Sequence, residues 1–103
     1  GSKERMKQKA GRMSFANAKA KTIRTELNLI GRNLDDAIYE MNKYLDDAYL
    51  AGLSQVRIIH GRGEGILKSG LRAELKRNKH VKKFSAAPYD EGGEGATIVE
   101  FKR

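Results

Sequence analysis

Two segments of the chain carry apolar residues at helical spacing. The first begins after Asn33, a residue type that caps helices, has Asp35 and Asp36 where a first helical turn favours acidic side chains, and stops at Gly52. Its apolar positions recur every three or four residues and are Leu34, Ala37, Ile38, Met41, Tyr44, Leu45 and Ala48. The spacing predicts an amphipathic helix between Asn33 and Gly52.

A second helix is predicted after residue 65 and ends near Asn78. Its apolar positions are Ile66, Leu67, Leu71 and Leu75. Gly70 lies inside this helix, where glycine costs about 1 kcal/mol relative to alanine. We therefore expect close packing or a ligand to require the missing side chain.

Four shorter segments have the pattern of strands. They are Leu27–Leu29 before Gly31, Gln55–His60, Val81–Phe84 and Ala96–Phe101, with a polar loop at 88–95. The second is almost continuously apolar, which is typical of a strand buried on both faces.

The predicted order is β-α-β-α-β-β, an α/β chain with the character of an α+β sandwich. Helices in the first two connections favour parallel pairing of the strands that they join, and the last strand is expected to return antiparallel. We expect a four-stranded mixed sheet with both helices packed on one side.

Composition limits the class of protein. A chain of 103 residues has room for one small domain, and without cysteine it has neither disulfides nor thiolate metal sites. It has no apolar run as long as a membrane span and no signal peptide, so we expect a soluble, cytoplasmic protein with no membrane partner. Gly1-Ser2 resembles the scar of a cleaved tag.

The net charge of +8 is concentrated at the amino end. Residues 1–26 hold eight Lys/Arg against two Glu, whereas the remainder holds 13 against 11. We interpret residues 1–25 as a tag scar plus a basic, flexible linker, and residues 26–103 as the folded domain. Such an arm is typical of chains that meet polyanions, although a solvated linker would have the same composition.

The segment His60-Gly-Arg-Gly-Glu-Gly65 is a candidate phosphate-binding corner. It follows a strand and precedes a helix, where glycines let backbone amides approach an anion and the helix N-terminus adds partial positive charge. The candidate binding residues are Gly61, Arg62, Gly63, Gly65, Lys68 and Arg72. The alternative is a tight turn beside which His60 satisfies a hydrogen bond. The glycine spacing matches neither a P-loop nor a dinucleotide fingerprint.

Candidate catalytic residues are few. His60 could act near neutral pH as a general acid or base, and Glu64 is the carboxylate best placed beside a bound phosphate. His80, Glu91, Glu94 and Glu100 are weaker candidates. No spacing of His, Asp and Glu specifies a metal ion.

Four stretches together resemble the small MutS-related (Smr) domain, specifically the copy that ends bacterial type-two MutS proteins. They are ELNLIG at 26–31, the first helix, VRIIHGRGEGILKSGLRAEL at 56–75, and GGEGATIVEF at 92–101. The resemblance covers residues 26–102 in order. It implies a sandwich similar to the C-terminal domain of bacterial initiation factor three.

The resemblance also implies a function. Smr domains bind nucleic acid, and many nick DNA or RNA with help from a divalent metal such as Mg²⁺ or Mn²⁺. Type-two MutS proteins are associated with suppression of recombination and rescue of stalled ribosomes, so DNA, RNA including ribosomal RNA, the ribosome and an upstream ATPase region are the expected partners.

The family's two motifs are retained unequally. Its H-G-x-G signature is present at residues 60–63, whereas L-D-x-H-G or L-D-x-R-G falls on residues 27–31. Asn28 replaces the acidic residue there, and Ile30 replaces the basic one. The resemblance therefore implies an intact binding corner, and leaves two functions open: a nicking endonuclease, or a non-catalytic DNA- or rRNA-binding module.

Overall fold

A computed structural model describes residues 23–103, so most of the predicted tag scar and linker, residues 1–22, lies outside the described residues. The predicted order of elements is confirmed. The elements are β1 (Glu26–Asn28), α1 (Leu34–Leu50), β2 (Gln55–Ile59), α2 (Ile66–Lys76), β3 (Val81–Ala86) and β4 (Ala96–Phe101). Two short 3-10 turns, Tyr89–Glu91 and Gly93–Gly95, lie between β3 and β4.

The strands form one mixed sheet in the order β1-β2-β4-β3. β1 pairs with β2 in parallel, as predicted, and β4 runs antiparallel to both of its neighbours. The expectation that the strands joined by α2 would pair with each other is wrong, because β4 lies between them. An antiparallel strand needs no crossover, so β4 can return beside β3 and hydrogen-bond on both edges.

Local sequence explains the first helix. The Asn33 side chain accepts a hydrogen bond from the Asp36 amide at 2.9 Å and caps α1. The helix buries Ala37, Met41, Leu45 and Ala48, which share one face. The prediction between Asn33 and Gly52 is thus confirmed.

The hydrophobic core lies between the helices and one face of the sheet. Its largest fully buried apolar side chains are Leu29, Met41, Leu45, Ile58, Leu71, Leu75 and Val99. The prediction that β2 is buried on both faces is wrong. Val56 and Ile58 are buried under the helices, whereas Arg57 and Ile59, on the opposite face, are only partly covered. We call that opposite side the open face.

Gly70 allows α2 to pack closely on α1. A Cβ atom at this position would lie 2.5 Å from Leu34 Cδ1 and 2.7 Å from Leu34 Cδ2. Of the two reasons that the sequence offered for this glycine, close packing is the one that the structure supports.

The folded unit includes residues 23–25. Ile23 packs against the core, the Arg24 carbonyl accepts a hydrogen bond from the Tyr44 hydroxyl, and the Thr25 carbonyl accepts one from the Arg57 amide at 2.9 Å. Within residues 23–103, neither helix is long and apolar enough to cross a membrane.

Candidate functional site

Three backbone segments meet at one end of the sheet. They are the residues that follow β1, the loop Gly61–Gly65 between β2 and α2 (the first glycine loop), and Gly92–Gly95 before β4 (the second glycine loop). The amides of His60 and Gly61 both donate to the Gly95 carbonyl, at 3.0 and 2.9 Å. The two motif segments recognised in the sequence are therefore brought together, with a second glycine loop against them.

A left-handed backbone conformation explains the glycine at position 61. Gly61 has φ +79°, a left-handed conformation, and a Cβ there would lie 3.4 Å from Ile30 Cγ1. Ile30, in the position where the Smr pattern has a basic residue, thus packs beside the first glycine loop.

His60 is held at both ring nitrogens. Its side chain is 5 % exposed, and Nδ1 lies 2.8 Å from the Gly61 carbonyl oxygen while Nε2 lies 2.8 Å from the Thr97 hydroxyl. A carbonyl only accepts, so Nδ1 carries the proton and donates. In the neutral ring, Nε2 then accepts from Thr97. Both ring nitrogens are thus bonded within the protein, and the predicted acid–base role would require one of these bonds to break.

The environment favours the neutral form of His60. Burial lowers the pKa of the imidazole below 6.5, and the nearby charges of Arg72 and Lys68 act in the same direction. The bond to the Gly61 carbonyl and the charge of Glu94 oppose the shift without reversing it. The neutral ring is thereby tied to the backbone of the first glycine loop through the Gly61 carbonyl.

One carboxylate beside the glycine loops contacts one cation and lies within the electrostatic range of two others. Glu94 forms an ion pair with Lys68, and this contact is the main reason that the pKa of its carboxyl lies below the ordinary value. Arg72 and Arg62 lower the same pKa through their charges. We call Arg62, Lys68 and Arg72 the cation cluster. The sequence analysis expected Lys68 and Arg72 to join Arg62 only if they project to the same side, and all three lie within the electrostatic range of Glu94.

Arg72 is the least satisfied member of the cation cluster. Its Nε and one terminal nitrogen, Nη2, are buried, and within residues 23–103 neither has a hydrogen-bond partner. The guanidinium carbon lies 5.9 Å from the centre of the Phe84 ring. A buried cation with unused donors is costly unless an anion reaches it.

Helix α2 begins beside the cation cluster. Its N-cap, Gly65, has φ 84° and offers no side-chain acceptor to the amides of the first turn. These amides and the helix dipole favour a negative group at this position. Gly63 is exposed and also has positive φ, so the backbone of the first glycine loop is accessible between the side chains of Arg62 and Glu64.

Glu64 and Asn28, which the sequence analysis also named as site residues, lie outside the contacts of the cation cluster. Glu64 is exposed and has no hydrogen-bond or ion-pair partner within the part of the chain that the structure describes. Asn28 is exposed at the end of β1, and its Oδ1 accepts from the Ile30 amide at 2.9 Å. Neither is drawn into the cation cluster by a described contact.

Sequence reasoning underrated Glu94 and did not find Thr97. Glu94 was ranked below Glu64, although Gly92-Gly-Glu-Gly95 repeats the glycine-rich character of the first glycine loop. That repetition was the available signal. No local signal marks Thr97, because its pairing with His60 depends on the register of β4 against β2.

The donor set does not match a metal cage. Among residues 23–103, no three His, Asp or Glu side chains converge. Glu94 is paired with Lys68, and Asn28 is neutral. The described residues therefore do not form a cage that would hold a divalent cation by themselves.

Fold and site define an α+β domain with a glycine-rich, cationic corner, and the chain belongs to the Smr family. The Smr domain model matches residues 27–102. A solved structure of the Smr domain of Thermus thermophilus MutS2 aligns with a TM-score of 0.75 and 38 % identity, over 78 % of this chain and all of that one. Escherichia coli YdaL, a stand-alone small MutS-related protein, aligns with a TM-score of 0.73 and 26 % identity, over 77 % of this chain and 65 % of that one.

The curated relatives are named Endonuclease MutS2. The protein of Caldanaerobacter subterraneus subsp. tengcongensis is 54 % identical over 92 residues, which are 89 % of this chain. That of Clostridioides difficile is 52 % identical over 89 residues, or 86 % of this chain. The chain spans only 12 % and 11 % of the length of these two relatives.

Proposed function

We propose that this Smr domain binds the phosphate backbone of DNA or RNA with the cation cluster and the first glycine loop. The buried, unpartnered nitrogens of Arg72 are the observation that carries the proposal. When the Arg72 side chain turns outward, its guanidinium would donate these unused hydrogens to a phosphate oxygen, which would remove the cost of burying an unpaired cation. The uncapped first turn of α2 would supply amides to the same anion.

In this proposal Glu94 is a competitor of the nucleic acid. Its carboxylate occupies Lys68 in the free protein and lies within the electrostatic reach of Arg62 and Arg72. A bound phosphate would take over these cations, so Glu94 lowers the affinity for a polyanion. In the free protein, the negative charge of Glu94 would partly neutralise the cation cluster until a phosphate binds.

Hydrolysis of the phosphodiester is the second candidate, and the relatives' name, Endonuclease MutS2, favours it. A bound phosphate that takes Lys68 from Glu94 would remove the main cause of its low pKa. The carboxylate would then accept a proton from the attacking water while the phosphorus–oxygen bond to the leaving strand breaks and that oxygen is protonated by solvent. Glu64 in the first glycine loop remains the alternative base. A divalent ion carried in by the nucleic acid is part of this second proposal, since Mg²⁺ commonly binds through one or two carboxylates together with substrate phosphates.

The wider role is proposed from the family. The domain would hold DNA or RNA, including ribosomal RNA, for an upstream ATPase region that acts in recombination suppression or in rescue of stalled ribosomes. The expected cytoplasmic location agrees with such partners.

Replacing Arg62 tests the binding proposal. Arg62→Ala should weaken binding to a mixed-sequence single strand by roughly five- to tenfold at low salt, and should reduce the salt slope by about one. Arg77→Ala, with an equal loss of charge at the other end of α2, is the matched control and should have the smaller effect. Fluorescence anisotropy across a salt series measures both. Equal losses in the two variants would contradict a localised site.

Replacing Glu94 separates binding from cutting. If the domain only binds, Glu94→Gln frees Lys68 and removes a negative charge near Arg62 and Arg72, so it should tighten binding roughly threefold or more at low salt. If the domain also cuts, the same variant should lose nicking of supercoiled plasmid and structured RNA in Mg²⁺ or Mn²⁺.

Two variants complete the nicking assay. Glu64→Gln is the matched carboxylate control, and a loss of nicking in it alone would assign the chemistry to Glu64. Asn28→Asp keeps an oxygen that can accept from the Ile30 amide, so it restores the family's acidic residue with little local change. Nicking gained only in Asn28→Asp would indicate a binding module that has lost its catalytic carboxylate.

A further inference from the structure

A cavity on the open face adjoins the cation cluster. Its volume is about 400 Å³, within the roughly 300–1,000 Å³ of small-molecule pockets. Ile30, Ile59 and Ala96 contribute apolar surface, and Ile30 is 54 % exposed. Hence an apolar surface remains open beside a site built for phosphate.

The cavity and the cation cluster share a wall. Gly61, Arg62 and Gly95 line the cavity. The Arg62 terminal nitrogen Nη2 lies 3.4 Å from the point that a Cβ of Gly93 would occupy, which places the guanidinium against the second glycine loop. A ligand whose phosphate reaches Arg62 can therefore extend its next chemical group into the cavity.

The lining of the cavity includes acidic residues as well. Asp90 and Glu91 belong to it, and Arg57, which also lines it, is already occupied by Glu26 and by the Glu91 carbonyl at 2.9 Å. Carboxylates repel a phosphate but accept hydrogen bonds from amino groups. The combination suits a flat, largely apolar group with an amino edge, attached to a phosphate.

We infer that the cavity takes the base of an unpaired nucleotide, specifically a base with an exocyclic amino group, while the nucleotide's phosphate lies at Arg62. This inference rests on the proposed function and names its substrate class. In a duplex the bases are stacked and paired, and bringing one into a pocket requires unstacking it. Single strands, loops and branched structures are thus the preferred ligands.

Three probes of equal charge test the inference. They are single strands of twelve deoxycytidines, twelve thymidines, or twelve abasic tetrahydrofuran residues, and their affinities for the whole chain are measured by competition anisotropy. Because the phosphates are the same, the basic residues 1–22 contribute alike to all three. The cytosine strand should bind roughly five- to tenfold more tightly than the abasic strand, with thymine between them.

Two exposed apolar residues provide a matched pair of variants. Ile30→Ala removes part of the cavity wall and should bring cytosine affinity close to abasic affinity, whereas affinity for the abasic strand stays unchanged. Leu50, 81 % exposed at the end of α1, lies away from the cavity, and Leu50→Ala should leave all three affinities as they are. Thermal unfolding of both variants checks that the fold is kept. Asp90→Asn should reduce the preference for cytosine over thymine.

The failures of the two proposals are distinguishable. Equal, salt-sensitive affinity for the cytosine and abasic strands would overturn the base pocket and leave phosphate binding in place. Absence of salt-sensitive binding to all three strands would overturn the proposed function itself. Retention of the cytosine preference in Ile30→Ala would show that the base binds elsewhere.

Discussion

His60 lies between two fixed partners, the Gly61 carbonyl and the Thr97 hydroxyl, each 2.8 Å away. The first partner belongs to the glycine loop that His60 precedes, and the second lies across the sheet on β4. A ring held in this way makes the loop conformation depend on the pairing of two strands. The histidine of the H-G-x-G signature therefore acts in this chain by positioning backbone.

The pH dependence of stability tests the buried, neutral state of His60. Burial lowers the folded-state pKa below 6.5, so the unfolded chain takes up the proton first as the pH falls. The free energy of unfolding should thus decrease as the pH falls from 6.5 towards the folded-state pKa, with a slope of at most about 1.4 kcal/mol per pH unit. The slope fades over about one pH unit above 6.5, where the unfolded chain also loses the proton.

Urea denaturation between pH 7.5 and 5.5 measures this slope. His60→Gln should flatten it, whereas His80→Gln, which leaves the Gly61 and Thr97 contacts in place, should retain it. An unchanged slope in His60→Gln would mean that His60 is not the responsible group.

At the scale of elements, the contact between the two helices depends on one glycine. Leu34 begins α1, and its methyl carbons occupy the space that a side chain at position 70 of α2 would need. The contact holds the N-terminal halves of both helices together. The same half of α2 carries Lys68 and its uncapped first turn, so helix packing places part of the cation cluster.

Gly70→Ala should have opposite effects in two backgrounds. In the native chain it should destabilise the protein by about 1 kcal/mol, because crowding against Leu34 exceeds the gain in helix propensity. In a Leu34→Ala background the crowding is relieved, and the same change should stabilise by roughly 0.5–1 kcal/mol. Denaturant unfolding of the four chains gives both values.

Ala73→Gly calibrates the comparison. Ala73 is exposed on the same helix, so its replacement reports helix propensity without a packing contact. The same sign for Gly70→Ala in both backgrounds would contradict the steric role of Leu34.

At the scale of the whole molecule, charge is separated along the chain. Residues 1–22 hold seven Lys/Arg against one Glu, which is +6 of the total +8. The described part of the chain begins at Ile23, which packs on the core. Most of the net charge therefore lies before the segment that carries the cation cluster.

Removal of residues 1–22 should weaken binding to a single strand and flatten its salt dependence. Fewer neutralised phosphates release fewer counterions, so the slope of log K against log salt should become less negative by several units if most of these cations bind. The thermal transition should persist, because the contacts of residues 23–25 remain.

A full-length variant in which the seven Lys/Arg of residues 1–22 are changed to Gln separates the effect of their charge from that of chain length. Its affinity and salt slope should match those of the truncated chain. An unchanged salt slope in both would mean that the first 22 residues do not meet the nucleic acid.

Short stretches of sequence were sufficient to predict the helices and strands and the position of the first glycine loop between a strand and a helix. Asn33 caps α1 through a bond to a residue three positions away, and period alone marks the face that packs on the sheet. The glycine spacing between a strand and a helix likewise indicated where the corner lies. These features are readable because the interacting residues are neighbours in the chain.

Non-local pairing determined the rest. β4 enters the sheet between β2 and β3, which sets Thr97 against His60 and brings Glu94 to Lys68. The pattern of apolar residues within one strand does not show which other strands will be its neighbours in the sheet. The register of β4, set by burial of residues under two helices, thereby places Thr97 against the buried His60 and Ala96 in the wall of the cavity beside Arg62.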